Sequence, residues 1–263
     1  MRFTLWALVL ALPMTPVQTR PDVVLSLTPY FRDLRMIRVQ SGADSLNLLL
    51  DTGGGATLIT PEVARAHRCE PHGADVGHRM TGERVVFARC EAFPLAAGAW
   101  SASLSPIGVF DVNALLPKEL PRLDGVLALD AFRGEVVTIN WSAGTVTLHG
   151  PGTADAALAA SGIPFRPATG ESGRFLSAMA RVAGRREPLW FLLDTGNLRG
   201  TLVAEHVLRD SLLPLRSDGI AALGVGGRAP IDVPFQSADL VIDGALGADY
   251  FQRGPVTLDF RKL

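Results

Sequence analysis

A chain of 263 residues, 48% of them hydrophobic, can bury one large core or two modest ones. Its 27 glycines and 18 prolines point to many turns and short strands. A formal net charge of -1 with no basic run argues against nucleic acid as a partner.

The N-terminus is separable. Met1-Arg2 precedes the apolar residues 3–12, then Pro13 and Pro16. That run is short for a bilayer span but fits the positive and apolar regions of a secretory signal. Residues 1–20 are therefore expected to be a leader, with an uncleaved anchor or a buried segment as alternatives. No integral membrane span is expected beyond it. No cysteine follows the apolar region, which argues against a lipid anchor. The Ala-, Gly- and Arg-rich composition looks bacterial, so the expected location is periplasmic or secreted.

Residues 23–27 and 35–40 read as strands, with alternation clearest in Met36-Ile37-Arg38-Val39. Residues 41–45 (SGADS) are a turn cluster, and 46–50 form a strand that delivers Asp51. Thr60-Pro61-Glu62 has the order of an N-cap, a first-turn proline and an early acid, predicting a short helix to about Arg68. Cys69 and Cys90 are the only cysteines, and in an exported chain an even count favours a disulfide over two separate thiols. His67, Cys69, His72, His78 and Cys90 crowd one region. Their spacings match no common zinc pattern, and neither metal nor cofactor is expected.

Residues 77–82 (GHRMTG) are turn-like, and 84–90 read as the returning half of a hairpin. Residues 104–112 and 125–129 are further short apolar strands. Residues 136–141 and 145–148 flank Ser142-Ala143-Gly144 as a hairpin. Residues 150–161, low in charge and rich in small side chains, and then 170–173 read as a connection. The expected units are a first β lobe over 22–150, a linker over 151–172 and a second β lobe over 173–263.

After the linker the pattern restarts. Met179-Ala180-Arg181-Val182 echoes Met36-Ile37-Arg38-Val39, and residues 189–203 (LWFLLDTGNLRGTLV) echo residues 46–60 (LNLLLDTGGGATLIT). Residues 243–260 (DGALGADYFQRGPVTLDF) echo 124–141 (DGVLALDAFRGEVVTINW) without a gap. Two copies indicate duplicated lobes rather than a solenoid, which needs more repeats. In each copy an apolar run ends in Asp-Thr-Gly: Asp51-Thr52-Gly53 and Asp194-Thr195-Gly196. Burying a lone carboxylate under apolar residues is expensive unless something pairs with it. Two acids in matching settings are each other's natural neighbour.

Each half thus carries an apolar strand, Asp-Thr-Gly, and a later apolar pair (Val126-Leu127, Ala245-Leu246) ahead of an Asp and an aromatic. From about Met36 to Phe260 the chain resembles the pepsin/retropepsin aspartic proteases, with two lobes in one chain. The resemblance implies a mainly β, pseudo-twofold bilobal acid-protease fold with a few short helices. It implies an endopeptidase with Asp51 and Asp194 as catalytic residues and a peptide or protein substrate in the cleft, acting as a monomer. Thr52 and Thr195 would cross-link the loops beneath the acids, and Gly53 and Gly196 would let the backbone donate to the carboxylates. Met80, Thr81 and Gly82 would form the tip of a first flap; Gly224, Val225, Gly226 and Gly227 would form a second.

Some residues depart from the family pattern. No tyrosine occupies the flap, since only Tyr30 and Tyr250 exist, which tilts the likeness toward retropepsins. Ala128 stands where glycine is usual, although Gly247 keeps it in the second lobe, and Asn197 replaces a small residue after the second triplet. Such changes motivate an alternative: a peptide-binding member of the same fold that turns over weakly or not at all. Asp130 and Asp249 recur in register and are expected to cap turns. A sugar-kinase-like nucleotide binder would need long helices that the pattern does not contain.

Overall fold

The computed structural model describes residues 20–169, 174–216 and 218–263. The leader, apart from Arg20, and residues 170–173 of the expected linker lie outside the described residues. None of the described helices is long and apolar enough to cross a membrane.

Alternation builds the first lobe. Val23, Leu25 and Leu27 are buried and their neighbours exposed along the strand Val23–Pro29. It pairs antiparallel with Thr145–His149 on one side and Arg35–Ser41 on the other. The hairpin expected near 142–144 forms between Val136–Asn140 and Thr145–His149. The helix after Thr60 spans Pro61–Ala66, and the Thr60 hydroxyl accepts from the Val63 N–H as its cap. The strand Asp44–Leu50 delivers Asp51 as expected.

The duplication holds register for register. In the first lobe Asp44–Leu50 runs parallel to Gly125–Leu127, which lies antiparallel to Leu58–Ile59, itself parallel to Ile107–Val109. In the second, Leu189–Leu193, Gly244–Leu246, Leu202–Ala204 and Gln236–Ala238 repeat those senses. Matching acids support the matching strands: Asp124 accepts from the Asn47 N–H at 2.7 Å and Asp243 from the Trp190 N–H at 2.8 Å.

The two copies also meet. The strand Val256–Asp259 pairs antiparallel with its own counterpart, Val136–Asn140. Thr138 and Thr257, equivalent residues of the repeat, sit opposite each other with hydroxyls 2.6 Å apart. A pseudo-twofold relation requires such a self-paired position. A polar chain runs through it: Asp22 holds His149 at 3.0 Å, His149 holds Thr138 at 2.7 Å, and Thr257 continues to Ser161. The path runs inward from exposed Asp22 to buried Thr257 and Ser161, and each polar group along it has a partner.

Three expectations need correction. The second lobe's sheet begins inside the expected linker, which holds the helix Ala154–Ser161 and the strand Phe165–Ala168, paired with Ser177–Val182. Alanines hid the helix, which shows no strong apolar stripe, and the strand, FRPA, carries a proline and little alternation. The second lobe does not own the whole C-terminal segment, because Val256–Asp259 completes the first lobe's sheet. The apolar runs 104–112 and 125–129 are only partly strand. Ile107–Val109 follows a cis Ser105–Pro106 bond and Gly125–Leu127 precedes a 3-10 turn, Leu129–Phe132. A hairpin of Phe93–Ala97 and Trp100–Leu104, turning at Gly98, was not foreseen.

Cys69 and Cys90 are joined in a disulfide with Cα atoms 5.7 Å apart. It ties the end of the first helix to the strand Arg84–Cys90, and closing a loop of this size contributes roughly 3 kcal/mol. His67 and His72 pair instead with Asp44 at 3.3 Å and Glu91 at 3.1 Å.

Candidate active site

The Asp51 N–H donates to the Leu127 carbonyl at 3.0 Å and the Asp194 N–H to the Leu246 carbonyl at 2.9 Å. Each acid is thus fixed where its strand leaves the parallel pair. The chain then folds back, so that the Gly53 N–H donates to Asp51 at 2.9 Å and the Gly196 N–H to Asp194 at 3.1 Å. Each glycine also lies against the other lobe's acid. A Cβ on Gly53 would stand 2.6 Å from Asp194 Cγ, and one on Gly196 would overlap the Asp51 carboxyl. Only glycine leaves room for the acids to meet.

They do meet: the Asp51 and Asp194 carboxyls are hydrogen-bonded to each other. Burial pushes Asp194 well above the usual carboxylate range, and the neighbouring Asp51 charge pushes the same way. Burial also raises Asp51, but the Gly53 N–H, Asp194 and the Gly54 N–H pull against it. Like charges this close cannot both ionise, so the pair holds one proton, favouring Asp194.

Beneath the acids, two threonines reciprocate. The Thr52 hydroxyl donates to the Leu193 carbonyl at 2.8 Å and accepts from the Thr195 N–H at 3.1 Å. The Thr195 hydroxyl donates to the Leu50 carbonyl at 2.9 Å and accepts from the Thr52 N–H at 3.2 Å. Both threonines are fully buried, so this lock is insulated from water.

A second tier was not read from the sequence. Asp130 accepts from the Thr57 N–H at 3.0 Å, and the Thr57 hydroxyl accepts from the Ala128 N–H at 3.1 Å. Thr201 donates to Asp249 at 2.9 Å and accepts from the Gly247 N–H at 3.3 Å. Asp130 and Asp249 therefore each hold a threonine that follows Asp-Thr-Gly. Burial raises Asp130, with Thr57 and Arg133 opposing. The signal was present, as Thr57 and Thr201 share a role, but the second loop is one residue longer and the offset broke.

The departures resolve locally. A Cβ on Gly247 would overlap the Gly200 backbone, whereas Ala128 is fully buried against the other loop, where Ala56 replaces Gly200. Gly247→Ala is therefore expected to destabilise by about 1–3 kcal/mol through overpacking, while Ala128→Gly costs about 1 kcal/mol or less. Urea midpoints of the two variants check the asymmetry. Asn197 spans its own loop, donating to the Gly200 carbonyl and accepting from the Arg199 N–H, both at 2.8 Å. Its side chain also hydrogen-bonds Asp194. Tyr30 donates to the Pro121 carbonyl, and Tyr250 is buried in the second lobe.

Met80, Thr81 and Gly82 lie at the tip of a hairpin built from His72–His78 and Arg84–Cys90, closed by the Arg79 N–H to the Glu83 carbonyl. The tip reaches the second lobe: the Val241 N–H donates to the Met80 carbonyl at 2.9 Å. Gly224, Val225, Gly226 and Gly227 sit elsewhere. The Gly226 N–H donates to the Arg181 carbonyl at 2.7 Å and the Ala183 N–H to the Gly224 carbonyl at 2.9 Å. Val182 pairs with Leu189, at the opposite end of Leu189–Leu193 from Asp194. Five strand residues separate them, roughly 17 Å. The glycine turn is thus pinned to the base of its own lobe, and its reading as a second flap is corrected.

No family model matches the chain, and no curated protein matches its sequence. Solved structures do match its shape. One is basic 7S globulin from soybean, with a TM-score of 0.53 and 11% identity over 91% of this chain and 92% of that one. Another is conglutin gamma, a basic 7S globulin from lupine seeds, with a TM-score of 0.50 and 10% identity over 91% and 95%. At such identity the likeness speaks to architecture alone, and that architecture is the mainly β, bilobal acid-protease fold.

Proposed function

We propose that the chain is an aspartic-type endopeptidase working through Asp51 and Asp194. The observation that carries the proposal is the buried carboxyl pair, hydrogen-bonded and locked by reciprocal threonines. The ionised member, Asp51, takes a proton from a water whose oxygen attacks the peptide carbonyl carbon. Asp194 gives its proton to the carbonyl oxygen, forming a tetrahedral diol. As the diol collapses and the C–N bond breaks, Asp51 gives its proton to the amine nitrogen while a diol hydroxyl returns one to Asp194, so the pair again holds one. Both acids come from one polypeptide, so a monomer suffices. The hairpin tip at Met80 would cover an extended substrate with apolar side chains near the cut. Export to an oxidising compartment is part of the proposal, supported by the Cys69–Cys90 disulfide.

A second reading keeps the fold and the peptide cleft but has little or no turnover. The comparisons support it better than the first, because the matching solved structures are described as basic 7S globulins and not as proteases. The Met80–Val241 contact, which ties the hairpin shut, favours it too. Incubating the full chain with a mixed library of extended peptides from pH 3 to pH 8, with mass spectrometry of products, separates the two. The first predicts new termini between apolar residues, lost in Asp51→Asn. Peptide retention without new termini at any pH would leave only the second.

A further inference from the structure

The glycine turn that the active site does not use borders something else. Gly224, Gly226 and Gly227 form one wall of a groove of about 410 Å³ whose other side carries Arg181, Arg186 and Glu187. We propose that this groove is a binding site for an extended, acidic polypeptide segment, engaged through paired carboxylates whether or not the bound chain is cut.

Charge comes first. Arg181 and Arg186 are exposed, and among the described residues neither has an acid within ion-pair distance. Some exposed arginines are neutralised, as Arg216 is by Asp232 at 2.6 Å and Arg261 by Asp259 at 2.7 Å. These two instead converge on one groove with no such partner among the described residues. Two arginines facing one groove make a local positive field. Glu187 lowers that field by one charge and favours a ligand whose acids are spaced to reach the arginines past it.

The groove is also preformed. The Gly226 N–H to Arg181 carbonyl bond and the bridge of Val182 to Val225 hold the glycine turn against the arginine-bearing strand. Gly226 and Gly227 take φ of +63° and +81°, conformations that glycine adopts without strain and that fix the wall's curvature. A ligand entering a formed groove pays for ordering the arginine side chains but not the backbone wall.

The neighbouring aromatic decides the class of ligand. Trp190 lies opposite Arg181 in the sheet, so both project from the same face. Its ring is already covered by the Arg166 guanidinium, 4.5 Å from the ring centroid. That face is closed to a nucleobase or a sugar, which bind single strands and glycans by stacking. The remaining recognition chemistry is the guanidinium fork, which suits carboxylates in bidentate contact. The narrow, glycine-walled shape admits a chain without bulky side chains on that edge.

The test uses the full chain carrying Asp194→Asn, so that no probe is consumed. A fluorescein-labelled octapeptide alternating Glu and Ser is titrated at low salt and read by anisotropy, beside its Gln–Ser analogue. The acidic peptide is expected to bind at least about tenfold more tightly than the analogue, and R181A/R186A to lose at least about tenfold. Raising salt to 0.5 M should weaken binding further, since exposed charges are screened. R199A, which removes an arginine bonded to Gln236 and Ser237, should bind as the parent does. The proposal is overturned by absent binding, by equal affinity for the Gln analogue or in R181A/R186A, or by tighter binding of a heparin fragment or a single-stranded oligonucleotide.

Discussion

Replacing Asp194 by asparagine is expected to lower peptide cleavage by about 10³-fold or more while leaving the fold intact. Asparagine keeps the shape of the acid and can still accept from the Gly196 N–H, now at 3.1 Å to Asp194. It cannot hold the shared proton, so the donation to the carbonyl oxygen is lost, and positioned acid–base groups are worth about 10² to 10⁴ in rate. Stability should move the other way. Burial raises both acids, so the native chain binds protons more tightly than the unfolded chain above about pH 4. The wild type therefore loses stability as pH climbs from there through the raised values, because the native state binds the extra proton. D194N removes that penalty. Its melting temperature should exceed the parent's at pH 7 and match it near pH 3, read by calorimetry at both. Undiminished cleavage by D194N would end the peptidase proposal, and a melting temperature below the parent's at pH 7 would contradict the burial argument.

Thr52→Val is the second large effect. Valine fills the threonine's volume but strips a hydroxyl that donates to the Leu193 carbonyl and accepts from the Thr195 N–H. Both partners are left buried without a bond. At about 1–3 kcal/mol for each, the expected loss is about 2–6 kcal/mol. Thr52→Ser keeps the hydroxyl and should lose about 1 kcal/mol or less. Thr195→Val mirrors the effect through the Leu50 carbonyl and the Thr52 N–H. The double valine variant should cost less than the two singles together, since both cut one interface. Urea midpoints measure the stabilities. Cleavage should fall alongside, because the threonines set how the acids face each other. A threonine variant as stable as the parent would show that the lobes dock by apolar contact alone.

Much of this was legible because strand ends and glycines leave strong marks. The runs before Asp51 and Asp194, the Thr60 cap and the hairpin at Ser142-Ala143-Gly144 all formed where expected. The internal repeat foretold matched lobes, and the matched bonds at Asp124 and Asp243 follow from it. Illegible parts depended on distant partners. Nothing local marks Phe165–Ala168 as a strand; its pairing with Ser177–Val182 makes it one. The one-residue difference between the Asp51 and Asp194 loops masked the equivalence of Thr57 and Thr201. The Gly224–Gly227 turn misled because glycine clusters mark turns of any purpose. The hairpin tip's reach to Val241 is tertiary geometry that no spacing encodes.

The strand Val256–Asp259 lies beside Val136–Asn140, far earlier in the chain. Until that strand is in place, the first half of the chain keeps an open sheet edge on which another strand could pair. The carboxyls likewise stay apart until Leu193 reaches Thr52. Separating the two halves would therefore leave that sheet edge bare and each carboxyl without its partner.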